Sequence, residues 1–299
     1  MHSVEAAKLV CIGGGHGLGR LLASLKEAGP NLAGIVATTD DGGSTGRLRE
    51  EAETIAWGDL RNCLTQMCSA PTVGKLLFDY RFQTQGDLNG HNLGNLVLFA
   101  LEQLSIRPTD AIQVMRDMLR IDSHLFPMSD TPTTLMAKTV KTPQGGGNVL
   151  VGEIVIDDSD EEIEYLYLDP EVNAEAEVIH SIMSADAIIL SAGSFMTSIM
   201  PSLLVANIVK AINEASAPLI LVVNLRQEVL AGKALTFAKQ LELFKAAGIR
   251  KLDHILWPTC RVQEPGLENE CGVIVCDMGP EGSALHDSDK LKNHILELI

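Results

Sequence analysis

Early in the chain, two short apolar runs each stop at a cluster of glycines. Leu9 to Ile12 ends in Gly13-Gly14-Gly15, and Ala33 to Thr38 runs into Asp40-Asp41-Gly42-Gly43. Between them Leu18, Leu21, Leu22 and Leu25 recur at helical spacing until Gly29-Pro30 closes the segment. Strand, loop, helix and strand in that order require parallel pairing and a right-handed crossover. The same rhythm returns later, with candidate strands at Ala187 to Leu190, Leu219 to Val223, His254 to Trp257 and Val273 to Cys276. Helical stretches are expected at roughly 197–214, 234–247 and 287–298. The expected fold is α/β: a doubly wound, mostly parallel, Rossmann-like sheet spanning residues 1–299 as one domain.

Two regions break the rhythm. Residues from Pro71 to Ile121 read as mainly helical, with Pro108 at a helix start. Within about 130–170, Leu135 to Val140, Val149 to Ile156 and Ile163 to Leu168 read as short strands, with Gly145-Gly146-Gly147 in a turn. This is a small β-rich insertion. The acidic run Asp157 to Glu162 is expected to be a solvated loop.

Composition narrows the function classes. Hydrophobic residues make up 46% of the chain, enough for a large core without a metal or disulfide staple. The formal net charge is −16, which opposes contact with nucleic acid or an anionic membrane. The uncharged stretch between Asp186 and Lys210 is long enough to span a bilayer, but Ala192-Gly193-Ser194 and Pro201 interrupt it. Strand, turn and helix is the expected reading. Six cysteines without a C-x-x-C pair are expected to be reduced and mostly buried thiols. No basic-then-apolar leader opens the chain, so a cytoplasmic location is expected.

Five polar loops carry the candidate chemistry. The first is Gly13-Gly14-Gly15-His16-Gly17-Leu18-Gly19, which fits no G-x-G-x-x-G register. Five glycines in seven residues still suit close approach of a pyrophosphate to amides at a helix start. The second offers Thr39, Asp40, Asp41, Gly42, Gly43, Ser44 and Arg47. Its hydroxyls, amides and arginine suit a phosphate; Asp40 and Asp41 are either Mg²⁺ ligands or Asx-turn caps. The third is Gly58-Asp59-Leu60-Arg61-Asn62, where Asp59 caps a helix and leaves Arg61 and Asn62 facing a site. The fourth places His91, Asn92 and Asn95 at the start of an apolar helix, with His91 a base or a phosphate contact. The fifth holds Gly193, Ser194 and Thr197, and Asn224 closes the next strand. Gly193-Ser194 lacks the G-x-S-x-G elbow of serine hydrolases. Several of these polar loops fall at strand C-termini, where open α/β sheets bind ligands.

These motifs in this order, GGGHG, TDDGGSTGR, GDLRNCL, HNLGNL and GSFMTSI, resemble the CofD-like superfamily. They match its YvcK branch, the gluconeogenesis factors, best, from about residue 8 to about 225. The resemblance implies a bacterial cytosolic protein that binds UDP-sugars such as UDP-N-acetylglucosamine and is linked to cell shape and wall synthesis during gluconeogenic growth. The CofD branch implies instead a Mg²⁺-dependent transferase that adds phospholactate to a deazaflavin precursor. Three departures favour the former. His16 replaces a usual threonine, Asp40-Asp41 precede two glycines where the transferases carry an N-x-G-D-D pattern, and Ser191-Ala192-Gly193-Ser194 lacks the usual proline.

The expectation is therefore a ligand-binding regulator whose partner is a UDP-sugar or other nucleotide-type ligand, with no tightly bound cofactor. Homo-oligomerisation is compatible with the sequence. The alternative is a transferase of phosphorus-containing groups, using Mg²⁺ at Asp40 and Asp41 with Asp41 and His91 as candidate catalytic residues. A NAD-dependent oxidoreductase is disfavoured by the failed fingerprint register.

Overall fold

The computed structural model describes residues 4–68, 72–104, 107–142, 145–230, 233–264, 267, 270, 272–280 and 282–299. Pro71 and Cys271 lie outside the described residues. The central strands are β1 (Leu9–Gly13), β2 (Leu32–Val36) and β3 (His124–Pro127). An antiparallel trio follows: β4 (Thr134–Thr139), β5 (Val149–Val151) and β6 (Ile163–Asp169). The main sheet is completed by β7 (Ala187–Leu190), β8 (Leu219–Val222), β9 (His254–Pro258) and β10 (Val273–Cys276).

The seven-stranded sheet has the order β10-β9-β8-β7-β1-β2-β3, and every pairing in it is parallel. Strand order reverses between β1 and β7, where Leu9 pairs with Ala187 and Ile12 with Leu190. Continuous apolar runs build these strands because both faces are covered. On one face Leu9, Cys11, Ile189 and Val222 pack under α1 (Gly15–Leu25), α3 (Trp57–Met67), α6 (Pro108–Leu119) and α11 (Ser288–Leu296). On the other, Val10, Ile12, Ile188 and Leu221 pack under α8 (Ala176–Met183), α9 (Ala206–Glu214) and α10 (Phe237–Ala246). The trio β5-β4-β6 joins that second core through Leu135, Ala137, Leu166 and Leu168.

Three expectations change. The run from Val149 to Ile156 is not one strand: β5 stops at Val151, Gly152 adopts φ +87°, and a short helix α7 (Glu153–Asp157) follows. Asp41 causes this, because its Oδ1 accepts the Ile154 amide at 3.1 Å and so caps the new helix. The acidic run is consequently not wholly solvated, since Asp157 at the end of α7 accepts a bond from Thr197 Oγ1 at 3.3 Å. The expected helix at 197–214 is three pieces: a π-helical turn Phe195–Ile199, a 3-10 turn Pro201–Leu204, and α9. Pro201 has no amide to continue the first turn, which divides it from the second. Gly145 and Gly146 form a two-residue ladder with Lys141 and Thr142. Cys11, Cys63 and Cys276 are buried free thiols, whereas Cys260 is exposed. Among the described residues no helix is long and apolar enough to cross a membrane.

Candidate functional site

The reversal of strand order opens a crevice between the ends of β1 and β7, and the first glycine loop fills its floor. A side chain on Gly17 would lie 1.8 Å from the Ala192 carbonyl oxygen, so the two strand-end loops touch backbone to backbone. A side chain on Gly14 would lie 2.6 Å from Asp59 Oδ2. The backbone approach at Gly17 requires glycine. Across the crevice Gly193 is fixed by Asn224, which accepts its amide at 3.0 Å and donates Nδ2 to its carbonyl at 2.7 Å.

The second loop and α2 (Gly43–Glu51) lie beside this floor. Asp40 Oδ1 accepts the Gly42 amide at 2.9 Å, an Asx turn, and its other oxygen faces Gly58 near Thr45. Asp41 is the cap of α7 already described. Thr39 donates to Glu153 Oε1 at 2.7 Å. Ser44 Oγ lies 3.0 Å from His91 Nδ1 and accepts the Asn92 amide at 3.3 Å, which joins the second and fourth loops. Arg47 reaches the carbonyl of Asp87 at 3.4 Å.

The remaining predicted residues cap, pair or are buried; Asp59, expected to cap α3, lies within its first turn and meets the Gly15 amide of the first loop instead. Asn92 accepts the Gly94 and Asn95 amides at 2.8 and 3.4 Å and so caps α5 (Leu93–Gln103). Arg61 pairs with Asp79 at 3.1 Å. Asn62 and Asn95 are buried, with Asn62 Nδ2 and Asn95 Oδ1 lacking a hydrogen-bond partner. Ser194 Oγ donates to Glu228 Oε1 at 2.9 Å. The hydroxyls of Thr39, Ser194 and Thr197 are thus engaged with carboxylates.

Burial controls the charge state of the acids here. Asp59 is pushed up to about 7, by desolvation first and then by the neighbouring Asp40, against the opposing Gly15 amide and Arg61. Desolvation likewise raises Asp40, Glu153, Asp157 and Glu228, with Asp40, Asp59 and Asp157 adding to the effect at Glu153. Burial and Arg47 lower His91, which favours the neutral ring. Arg49 holds the carboxylate side together, donating to the carbonyls of Thr39, Asp40 and Thr133 at 3.0, 3.2 and 2.6 Å.

Asp40 and Asp41 each commit an oxygen to a backbone amide, and among the described residues no three metal-ligating side chains converge. The arrangement does not fit an all-protein cage for Mg²⁺. It fits an ion held by one or two carboxylates and completed by ligand phosphates.

Beside the first loop lies a cavity of about 190 Å³. His16, Gly17, Gly193 and Asn224 line it, together with Arg20 on α1 and His286 before α11. Among the described residues no Asp or Glu lines it. In an acidic chain a lining of this kind, with Arg20 in it, suits an anion. A larger cavity, about 420 Å³, lies between the acidic run and α10 and is lined by Asp160, Glu161, Glu162 and Glu242. It disfavours an anion.

The family model of CofD, described as 2-phospho-L-lactate transferase CofD, matches residues 9–295. The chain belongs to the CofD family. This CofD-family chain is 42% identical over 302 residues to a Vibrio cholerae protein named "Putative gluconeogenesis factor", covering 100% of this chain and 99% of that one. It is 35% identical over 223 residues to the Listeria monocytogenes "Gluconeogenesis factor", covering 74% and 68% of the two chains. The crystal structure of a UPF0052-family protein from Bacillus halodurans is similar with a TM-score of 0.87 at 28% identity, covering 97% of this chain and 99% of that one.

Several residues of this CofD-family site escaped the motif reading. Glu153, Asp157 and Glu228 come from the insertion and from beyond β8, and Arg20 and His286 meet across 266 positions of sequence. Arg49 had a local signal: it sits two residues from Arg47 on α2 and so faces the opposite way.

Proposed function

We propose that the protein is a gluconeogenesis factor acting in the cytosol as a nucleotide-sugar-binding regulator, with a UDP-sugar as its ligand. The observation that supports this most is the carboxylate-free cavity opening beside the first glycine loop. A pyrophosphate over Gly14 to Gly17 meets amides at the start of α1, where the helix dipole favours negative charge. The hydroxyls of Thr39, Ser194 and Thr197 are tied to carboxylates, which suits a binding role. The ligand's abundance would then be read out on cell shape and wall synthesis during gluconeogenic growth.

Calorimetry and thermal unfolding with UDP-N-acetylglucosamine test the reading. At a concentration one hundred times the dissociation constant, the ligand should stabilise the fold by about 2.7 kcal/mol. No response to any UDP-sugar would sink the proposal.

A second reading is favoured by the acid group formed by Asp40 and Asp59 beneath the first loop. There a Mg²⁺ shared with ligand phosphates would support transfer of a phosphorus-containing group, as the CofD name describes for its own protein. Product formation that requires Mg²⁺ and disappears in Asp40→Asn would establish it. A bound ligand that stays unchanged over prolonged incubation with Mg²⁺ and acceptor would remove it.

A further inference from the structure

The insertion presents a sheet face that its own core does not use. Along β4 and β6 the side chains alternate, and Leu135, Ala137, Leu166 and Leu168 point into the core. The opposite face carries two rows aligned by the strand register. Val151 lies beside Met136 and Tyr167, and Val149 lies beside Lys138 and Tyr165. A solvated face of an antiparallel sheet is ordinarily polar. Here Lys138 is the one charge in the two rows, and its ammonium is turned to the Gly147 carbonyl. Val151 is 53% exposed and Tyr165 43%, and α7 adds Ile154 and Val155, both about half exposed, just after β5.

Apolar and tyrosine side chains grouped on an exposed face mark protein contacts. The edge of this sheet is a poor handle, because β5 has three residues and Gly152 at φ +87° turns the chain off it at once. The face is what remains to be covered. It is also preformed, since the Asp41 cap and the Thr39 bond to Glu153 hold α7 in place. Charge decides what covers it. No Lys or Arg occurs between Lys141 and Lys210, whereas twelve Asp and Glu do. Of these, Asp158, Glu162, Glu164 and Asp169 are exposed at the end of α7 and along β6. A second copy would set this acidic rim against itself, and nucleic acid or an anionic membrane is repelled in the same way.

We propose that the outer face of β5-β4-β6 is a docking surface for a second protein whose contact region carries Lys and Arg around an apolar centre. Val151 and Tyr165 supply the middle of the contact, and Glu162 and Glu164 meet the basic rim. The acids steer the encounter and select the partner, and the apolar rows retain it. The inference does not depend on which ligand the crevice takes.

Photocross-linking of the full chain, in the cells that make it, tests the surface. p-Benzoylphenylalanine is placed at position 151, and at Met118, an exposed apolar residue on α6, as the control. An adduct is expected at 151 only, and its cross-linked peptide should carry Lys or Arg beside apolar residues. The captured protein is then purified and titrated with the unaltered chain. Binding should weaken steadily as salt is added. Tyr165→Glu and Glu164→Lys should each weaken it about tenfold or more, with Tm unchanged. Val151→Glu serves as the second variant if Tyr165→Glu lowers Tm. The proposal is overturned by no adduct above the control, by an adduct joining two copies of this chain, or by an acidic cross-linked peptide. Binding that is indifferent to salt and to Glu164→Lys overturns it as well.

Discussion

Asn224 and Gly193 exchange two hydrogen bonds beside the crevice, the Gly193 amide donating to Oδ1 at 3.0 Å and Nδ2 donating to the Gly193 carbonyl at 2.7 Å. One side chain thereby fixes the loop after β7 against the end of β8. Asn224→Ala leaves both backbone groups unpaired beside the cavity. It should cost about 1–3 kcal/mol in urea unfolding and weaken nucleotide binding in the same protein. Asn224→Asp keeps an acceptor but sets a carboxylate beside a carbonyl, and should not recover the loss.

Gly17 tolerates no side chain because a Cβ would sit 1.8 Å from the Ala192 carbonyl oxygen. Gly17→Ala must push two backbone segments apart. A loss of about 1–3 kcal/mol and a lowered Tm are expected. Gly86→Ala, where a Cβ meets nothing within 4 Å, is the matched control and should be close to neutral.

Asp59 makes stability depend on pH in a defined direction. Its folded pKa, about 7, lies above the ordinary carboxylate value of 3.8. Below the ordinary value both states hold the proton and the group contributes nothing. As pH rises from about 4 to about 7 the unfolded chain ionises first, so stability falls, by roughly 4 kcal/mol at most. Above 7 the penalty is complete. Asp59→Asn should flatten that part of the curve and be more stable than the unaltered protein at pH 8. Equal slopes in both proteins would show that Asp59 ionises normally. The same titration separates the two functional readings. Without metal, an anion over Gly14 should bind more weakly above pH 7, whereas a Mg²⁺-bridged ligand should bind better once Asp59 is ionised.

Arg49 joins the loop after β2 to the start of the insertion through the carbonyls of Thr39, Asp40 and Thr133. Arg49→Met should destabilise by roughly 2–3 kcal/mol in denaturant unfolding. Arg49→Lys should recover only part, because a single ammonium cannot span acceptors on two segments.

The parallel sheet was legible because its strands are unbroken apolar runs stopped by glycine, a pattern that needs cover on both faces. The loops at the strand ends were legible for the same reason. What they do was only partly so. Asn92 and Asp41 are helix caps, and a cap uses the same residue types as a ligand site. The Val149 to Ile156 run suits either strand or helix, and a carboxylate more than a hundred residues upstream, Asp41, decides between them. Glu153 could not be placed in the site until that helix turned it toward Thr39. Arg20 and His286 carry no local sign of their meeting, since only closure of the whole domain brings them together.

The pairing of β1 with β7 has a consequence for how the protein is made. Leu9 waits for Ala187 before its second edge is covered, so most of the polypeptide must leave the ribosome before the first strand is locked. The crevice is created at that closing event and at no earlier length of nascent chain. A premature stop before residue 187 therefore yields a fragment whose first strand keeps an open edge, prone to self-association and without any pocket a ligand could rescue.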